Sequence, residues 1–178
     1  MATEILLTSE KFVKSVSSIS DNVAGKYILP AIREAQEVGF RRIVGDALLD
    51  KLKALYAADE LDNNPAYLHL VEKSQYYLAY AAIVDIVTRV TYKVGNFGVA
   101  KSDDENLRAA GVNELSNQRE YYQSKADACC MDLQNFILAH KSDYPELTEN
   151  TCYQIKANLQ AFATCGIFLG GVRGRHIK

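Results

Sequence analysis

Tryptophan is absent from this 178-residue chain, and proline (3), histidine (3) and cysteine (4) are scarce. Each shortage excludes something. With so few prolines, long helices can run uninterrupted. The histidines, His69, His140 and His176, form no H-E-x-x-H pattern, which removes the zinc-protease reading. His140, near a helix end, reads as a structural residue or a partner for the helix dipole. The cysteines, Cys129, Cys130, Cys152 and Cys165, contain no C-x-x-C pair, so metal-ligand spacing is missing. They read as small buried hydrophobes in a reducing compartment. The formal net charge of -2 gives no global drive towards nucleic acid. Arg41, Arg42, Arg173 and Arg175 are scattered and no recognition-helix pattern emerges, which counts against a helical regulator of nucleic acid. Asp85 and Arg89 interrupt the longest apolar stretch, so nothing spans a membrane. The opening MATEILLTSEKF lacks the basic and apolar blocks of a signal peptide, and assembly in a cytoplasm is expected. G-x-S-x-G, Walker and E-x-x-H di-iron patterns are missing as well. The expectation is a protein without enzymatic activity, metal or cofactor.

What the chain does have is 48 % hydrophobic residues, 11 tyrosines and strong helical periodicity. Its length suits one domain with a sizeable core. Abundant tyrosine suits half-wet surfaces, interfaces among them. Thr8 or Ser9 can cap a first helix reaching about Ser17, with Phe12, Val13 and Val16 inward. After a break at SISDNVAG, with Asp21 or Asn22 as a second cap, Pro30 is placed at the first turn of a helix. Gly39 is a candidate kink, and Gly45 ends that run. Ala47, Leu48, Leu52 and Leu55 continue at helical spacing to about Tyr56, and AADELDNNP is a loop.

Pro65 opens the strongest element. Leu68, Val71, Leu78, Ala82, Ile86 and Val90 mark one face, and Tyr77, Tyr80, Val84 and Val87 a second. Between Tyr76 and Val90 the segment is apolar almost all round, which predicts a central helix with an internal Asp85–Arg89 pair. It is expected to end near Val94 with Gly95 as its cap. GNFGVAKSDDENLRAAGVNE then reads as a long loop, functional or disordered. Its Asp103, Asp104 and Glu105 lack calcium-loop spacing and read as a solvated acidic turn. A second long helix is predicted from about Glu114 to His140. Its stripe is Leu115, Tyr122, Ala126, Cys129, Leu133, Phe136 and His140, packed antiparallel to the first. LTENTCYQIKANLQAFAT fits either a helix or irregular structure.

The segments ILPAIREAQEVGFRRIVGDALLDKL, YLAYAAIVDIV and VGNFGV carry a resemblance. Together with Pro30-Ala-Ile, Ala35-Gln36, the break at Gly45 before Leu48, Leu49 and Leu52, and the Asn96-x-Gly98-Val99 turn, they span about residues 5 to 145. In these features the chain resembles the small helical head–tail connector proteins of tailed phages, also called adaptor or head-completion proteins, including ring proteins of crAss-like and related gut phages. The resemblance implies an all-α helical bundle with two long central antiparallel helices, shorter N-terminal helices and an extended C-terminal arm. It implies a homo-oligomeric ring, usually twelve-fold, below the portal protein at the neck of the virion. Such a ring joins tail or other neck proteins and extends a channel through which DNA passes without sequence-specific binding. Residues 1–150 are assigned to the connector-like domain and 151–178 to a C-terminal segment and docking arm. Asn96, Phe97, Val99, Asp103 and Asp104 are the expected intersubunit loop. The alternative is a ligand-binding or enzymatic helical bundle.

The ending ATCGIFLGGVRGRHIK departs from the resemblance. Ile167, Phe168 and Leu169 with Arg173 and Arg175 are the expected partner-binding residues, and Gly170, Gly171 and Gly174 let the backbone approach a partner closely. The plainer reading places residues 167–169 in the protomer's own core. Deleting Gly166–Lys178 separates the two. Circular dichroism is expected to show a folded helical protomer, and sedimentation to show poor assembly; an unfolded truncated chain would assign the tail to the core.

Overall fold

The structure is a computed structural model, and it describes residues 5–19, 23–95, 98–101 and 112–164. The chain is an all-α bundle with one short hairpin. Helix α1 (Glu10–Ser15) starts where expected: the Ser9 hydroxyl accepts a hydrogen bond from the Phe12 amide at 3.1 Å. Val13 is fully buried, and Phe12 and Val16 pack beside it.

Helix α2 (Gly25–Glu34), a π-helical segment (Ala35–Phe40) and α3 (Arg41–Val44) form one continuous helical run. Two expectations change here. Pro30 lies inside α2 rather than in its first turn, because burial of Ile28 draws the helix start back to Gly25. The amide that proline lacks would have met the carbonyl of Lys26, an exposed residue that water can reach. The N-cap is Ala24, without a side-chain bond; Asp21 and Asn22 lie outside the described residues. The second change is at Gly39, which lies within the π-helical segment. The π turn inserts one extra residue into the repeat. It carries the buried face of Ile28, Ala31, Ile32 and Ala35 on to Phe40, Ile43 and Val44. Gly39 then faces α5, where a Cβ would come within 2.5 Å of the Tyr77 hydroxyl.

At Gly45 φ is +81°, a conformation that favours glycine. Helix α4 (Asp46–Ala57) follows and buries Leu48, Leu49, Leu52 and Leu55, while Ala47 is exposed. The loop after it leads to α5 (Pro65–Thr91). Leu70, Val71, Ser74, Leu78, Ala79, Ala82, Ile83 and Ile86 of α5 are buried, and Tyr77, Tyr80, Val84 and Val87 are half-buried against the same core. Helices α1 and α2, the π segment and α6 all pack on it, as its apolar girth requires. Ser74 satisfies its hydroxyl on the Val71 carbonyl at 2.8 Å.

Helix α5 stops at Thr91, short of the expected Val94. Strands β1 (Tyr92–Gly95) and β2 (Gly98–Lys101) pair antiparallel, with Tyr92 opposite Lys101 and Gly95 opposite Gly98. β-prone Tyr92, Val94 and Val99, with glycines flanking a two-residue connection, suit a hairpin better than a helix end. This part of the expected loop is therefore ordered backbone.

Helix α6 (Val112–Ala139) lies antiparallel to α5. His69 meets Phe136 with ring centroids 5.5 Å apart, and about three turns along α5 Tyr80 meets Tyr122 at 6.4 Å. Tyr122, Ala126 and Leu133 of the expected stripe are buried, but the seam ends on Ile137 and His140 is exposed. A straight helix drifts off a 3.5-residue repeat, so the inward face has moved round by its last turns. After a 3₁₀ turn (Lys141–Asp143), α7 (Glu149–Thr164) resolves the ambiguous segment as a helix. The Thr148 hydroxyl accepts from the Thr151 amide at 3.2 Å and caps it. Ile155 is 1 % exposed and belongs to the common core. The boundary drawn between residues 150 and 151 thus falls within the first turn of α7.

The contact between Gly39 and Tyr77 yields a sign reversal. Gly39→Ala should gain roughly 1 kcal/mol from helix propensity but lose about 1–3 kcal/mol to overpacking, a net loss of stability. In a Tyr77→Phe background the nearest remaining atom is the ring carbon at 3.5 Å, and the same change should stabilise. Urea unfolding of the four chains measures both.

Candidate functional site

Two polar clusters, one beside the middle of α5 and one at its first turn, hold the bundle together. Gln36, fully buried, accepts from the Leu7 amide at 2.8 Å and donates to the Ile5 carbonyl at 2.9 Å. One amide side chain thereby ties down the N-terminal segment as a neighbouring strand would. At the first turn of α5 the Tyr67 hydroxyl donates to the Glu146 carboxylate at 2.9 and 3.0 Å. The Tyr144 hydroxyl donates to the Ala66 carbonyl at 3.0 Å, and the two rings meet edge to face at 5.7 Å. Burial, followed by the hydrogen bond to Glu146, pushes the Tyr67 phenol up to about 12. Burial does the same for Tyr144, with Asp143 and Tyr67 adding to it. These are structural phenols, held protonated.

The charged groups follow the same pattern. Arg89 pairs with Asp85, as the spacing predicted, and also with Glu34 of α2 at 2.6 Å. Glu37 in the π segment bonds Lys53 at 2.5 Å and Arg41 at 2.8 Å, and Gln36 donates to it at 3.0 Å. The Cys130 thiol is pushed up to about 11, by burial first and then by Asp127 and Cys129, and burial also raises Cys129. Neither is an activated nucleophile. Among the described residues no three histidine, cysteine or acidic side chains converge on a metal position, and no helix is long and apolar enough to cross a membrane.

The feature that can bind is a groove of about 1100 Å³ at the end of the bundle where α5 finishes and α6 begins. The α1–α2 connection supplies Val16, Ile19 and Val23 to one wall; α5 contributes Ile86 and Val87; α6 contributes Leu115, Tyr121 and Tyr122. The connection is fixed to α6 by Ser18, whose amide donates to the Tyr122 hydroxyl at 3.2 Å and whose own hydroxyl lies 2.9 Å from it. Lys125 closes the groove with its ammonium 4.4 Å from the Tyr121 ring centroid and 5.2 Å from that of Tyr80. The arrangement is an apolar trough with an aromatic and cationic end. It offers burial to an apolar segment and presents no nucleophile beside a general base.

Of the residues expected to bind partners, only one lies among the described residues. Ile167, Phe168, Leu169, Arg173 and Arg175, and Asn96, Phe97, Asp103 and Asp104, lie outside the described residues. Val99 is in β2. The groove was not visible to sequence reading, since its three walls come from segments about 70 and 100 residues apart. Exposed tyrosine was the one signal, and Tyr121, Tyr56 and Tyr76 are each about half exposed.

The fold is an all-α bundle, and the groove is an open, largely apolar feature among its described residues. The chain belongs to a family described as a family of unknown function (DUF6712), whose model matches residues 40–157, from the end of the π segment to the middle of α7. No curated protein and no solved structure matches the chain.

The Glu37 cluster sets an acid limit. Burial is the largest influence on Glu37 and disfavours its charge, but Lys53, Gln36 and Arg41 together outweigh it and hold the carboxyl below its ordinary value of 4.5. A carboxylate depressed in the folded state stabilises at neutral pH, and its contribution fades as pH falls below about 4.5 through the folded value. Thermal unfolding between pH 3 and 7 should show a flatter acid limb for Glu37→Gln than for the parent.

Proposed function

We propose that this protein is a structural subunit of a tailed-phage neck. Copies form a ring below the portal protein, connect head to tail and continue the DNA channel, and the protein carries out no turnover. It is assembled in the host cytoplasm and resides at the portal vertex of the virion. The observation that carries the reading is the resemblance of residues 28–52, 77–87 and 94–99 to such connectors. The packing supports it: the first two of those segments form α2 to α4 and the middle of α5, packed together around two long antiparallel helices. Half-exposed Tyr56, Tyr76 and Tyr121 and the open groove are suitable material for contacts between copies. A cyclic ring requires each copy to offer two different patches, and the trough is one.

The groove also favours a second reading, a helical bundle that binds a ligand, since about 1100 Å³ would hold a small molecule. Sedimentation of the purified protein, alone and with portal protein, decides between them. A ring, spontaneous or dependent on portal, is expected. A monomer that never binds portal, with a melting temperature raised by a small molecule, would reject the connector.

A further inference from the structure

Three features outside the structural clusters invite a role. The shallow pocket beside Leu29 and Tyr56 holds Thr8, whose buried hydroxyl lacks a partner, but nothing in the fold says what would cover it. The Cys152 pocket offers a lone thiol. The groove between the α1–α2 connection and α6 carries more.

We propose that this groove receives residues 167–169 of a second copy of the chain, Ile167, Phe168 and Leu169. The inference rests on the ring reading and gives it a specific joint. Three observations lead there. The trough is open, and Ile19, Val23, Ile86, Val87 and Leu115 give it an apolar wall beside the polar Ser17, Ser18, Glu114, Asn117 and Gln118. A chain segment with successive apolar side chains fills such a space. The sequence supplies one: residues 167–169 follow Gly166 and precede Gly170 and Gly171, so the backbone on both sides can lie close to a wall. Second, α7 ends at Thr164, so residues 167–169 can extend roughly 10–18 Å beyond it towards a neighbouring copy. Third, α7 is held beside α3, with Thr151 against Gly45 and Ile155 in the core. The trough is built on the opposite end of α6, from Leu115 to Lys125. The first turns of α7 and the trough therefore lie at different places on one protomer, and a head-to-tail ring joins two different surfaces. Val16, Ile19 and Val23 of the trough wall and residues 167–169 all lie outside residues 40–157, the stretch the family model matches.

Two substitutions test the joint. Phe168→Asp removes the central apolar contact of the tail. Leu115→Asp places a charge in the trough, at a half-buried position in the first turn of α6, where an acidic residue suits the helix dipole. Circular dichroism should therefore report unchanged helicity for both. A labelled peptide of residues 164–178 should bind the full-length Phe168→Asp chain saturably in fluorescence anisotropy. It should bind the double variant at least about tenfold more weakly, the cost of losing the Leu115 contact in the trough. Equal binding to the two overturns the groove assignment.

Mixing the single variants separates second-copy docking from self-docking. Each chain then keeps one intact half of the joint, and sedimentation should show one-to-one pairs and nothing larger. If the parent stays monomeric and the peptide binds only the Phe168→Asp chain, with no pairs in the mixture, the tail fills its own groove and the inference falls. If both single variants still form rings, the ring reading stands and this joint is wrong.

Discussion

A helix that is apolar around its whole circumference cannot be left against water on any side, and α5 is such a helix over much of its length. The rest of the bundle is arranged by that constraint. Helices α1 and α2 and the π segment cover one side, and α6 covers another. The half-buried ring of Tyr77, Tyr80, Val84 and Val87 marks the seams between the covering elements. The π turn belongs to the same solution. Without its extra residue, a regular helix would turn Phe40 roughly a quarter-turn off the line set by Ile28 and Ile32.

Where the sequence was legible, the signal was local and periodic. Ser9 as a cap, Pro65 as a helix start, Gly45 as a break, and the leucines of α4 each need only a few neighbouring residues to interpret. The central role of α5 was also readable, because no other segment has apolar residues on every face. Illegible features depended on competition between distant parts. The start of α2 at Gly25 is set by burial of Ile28 against α5, which overrides the usual placement of proline in a first turn. The π segment, the shift of the α6 seam from His140 to Ile137, and the hairpin after Thr91 likewise follow from packing or pairing that one stretch of sequence does not display.

The candidate site divides in the same way. Residues chosen from sequence for partner contact came from glycine-rich and acidic stretches, where irregular composition draws the eye, and they fall outside the described residues apart from Val99. The groove uses ordinary residues. Val16, Ile86 and Leu115 look like core positions, and they are distinguished only by a helix end and a connection that fail to meet above them. Gln36 was noticed as part of a resemblance, but its task of gripping Ile5 and Leu7 emerges only once the π turn directs it inward. Tyr144 carried no pattern at all, yet it is among the most deeply buried large side chains in the molecule.

The clamp of Tyr144, Tyr67 and Glu146 has a mechanical meaning. Any tension applied to the chain beyond Thr164 travels back along α7, whose grip on the body is Ile155 and the contact of Thr151 with Gly45. Should α7 peel away, the load next meets Tyr144 and Glu146, and these are fastened to Ala66 and Tyr67 in the first turn of α5. Force on the tail is thus delivered to the central helix at its rooted end.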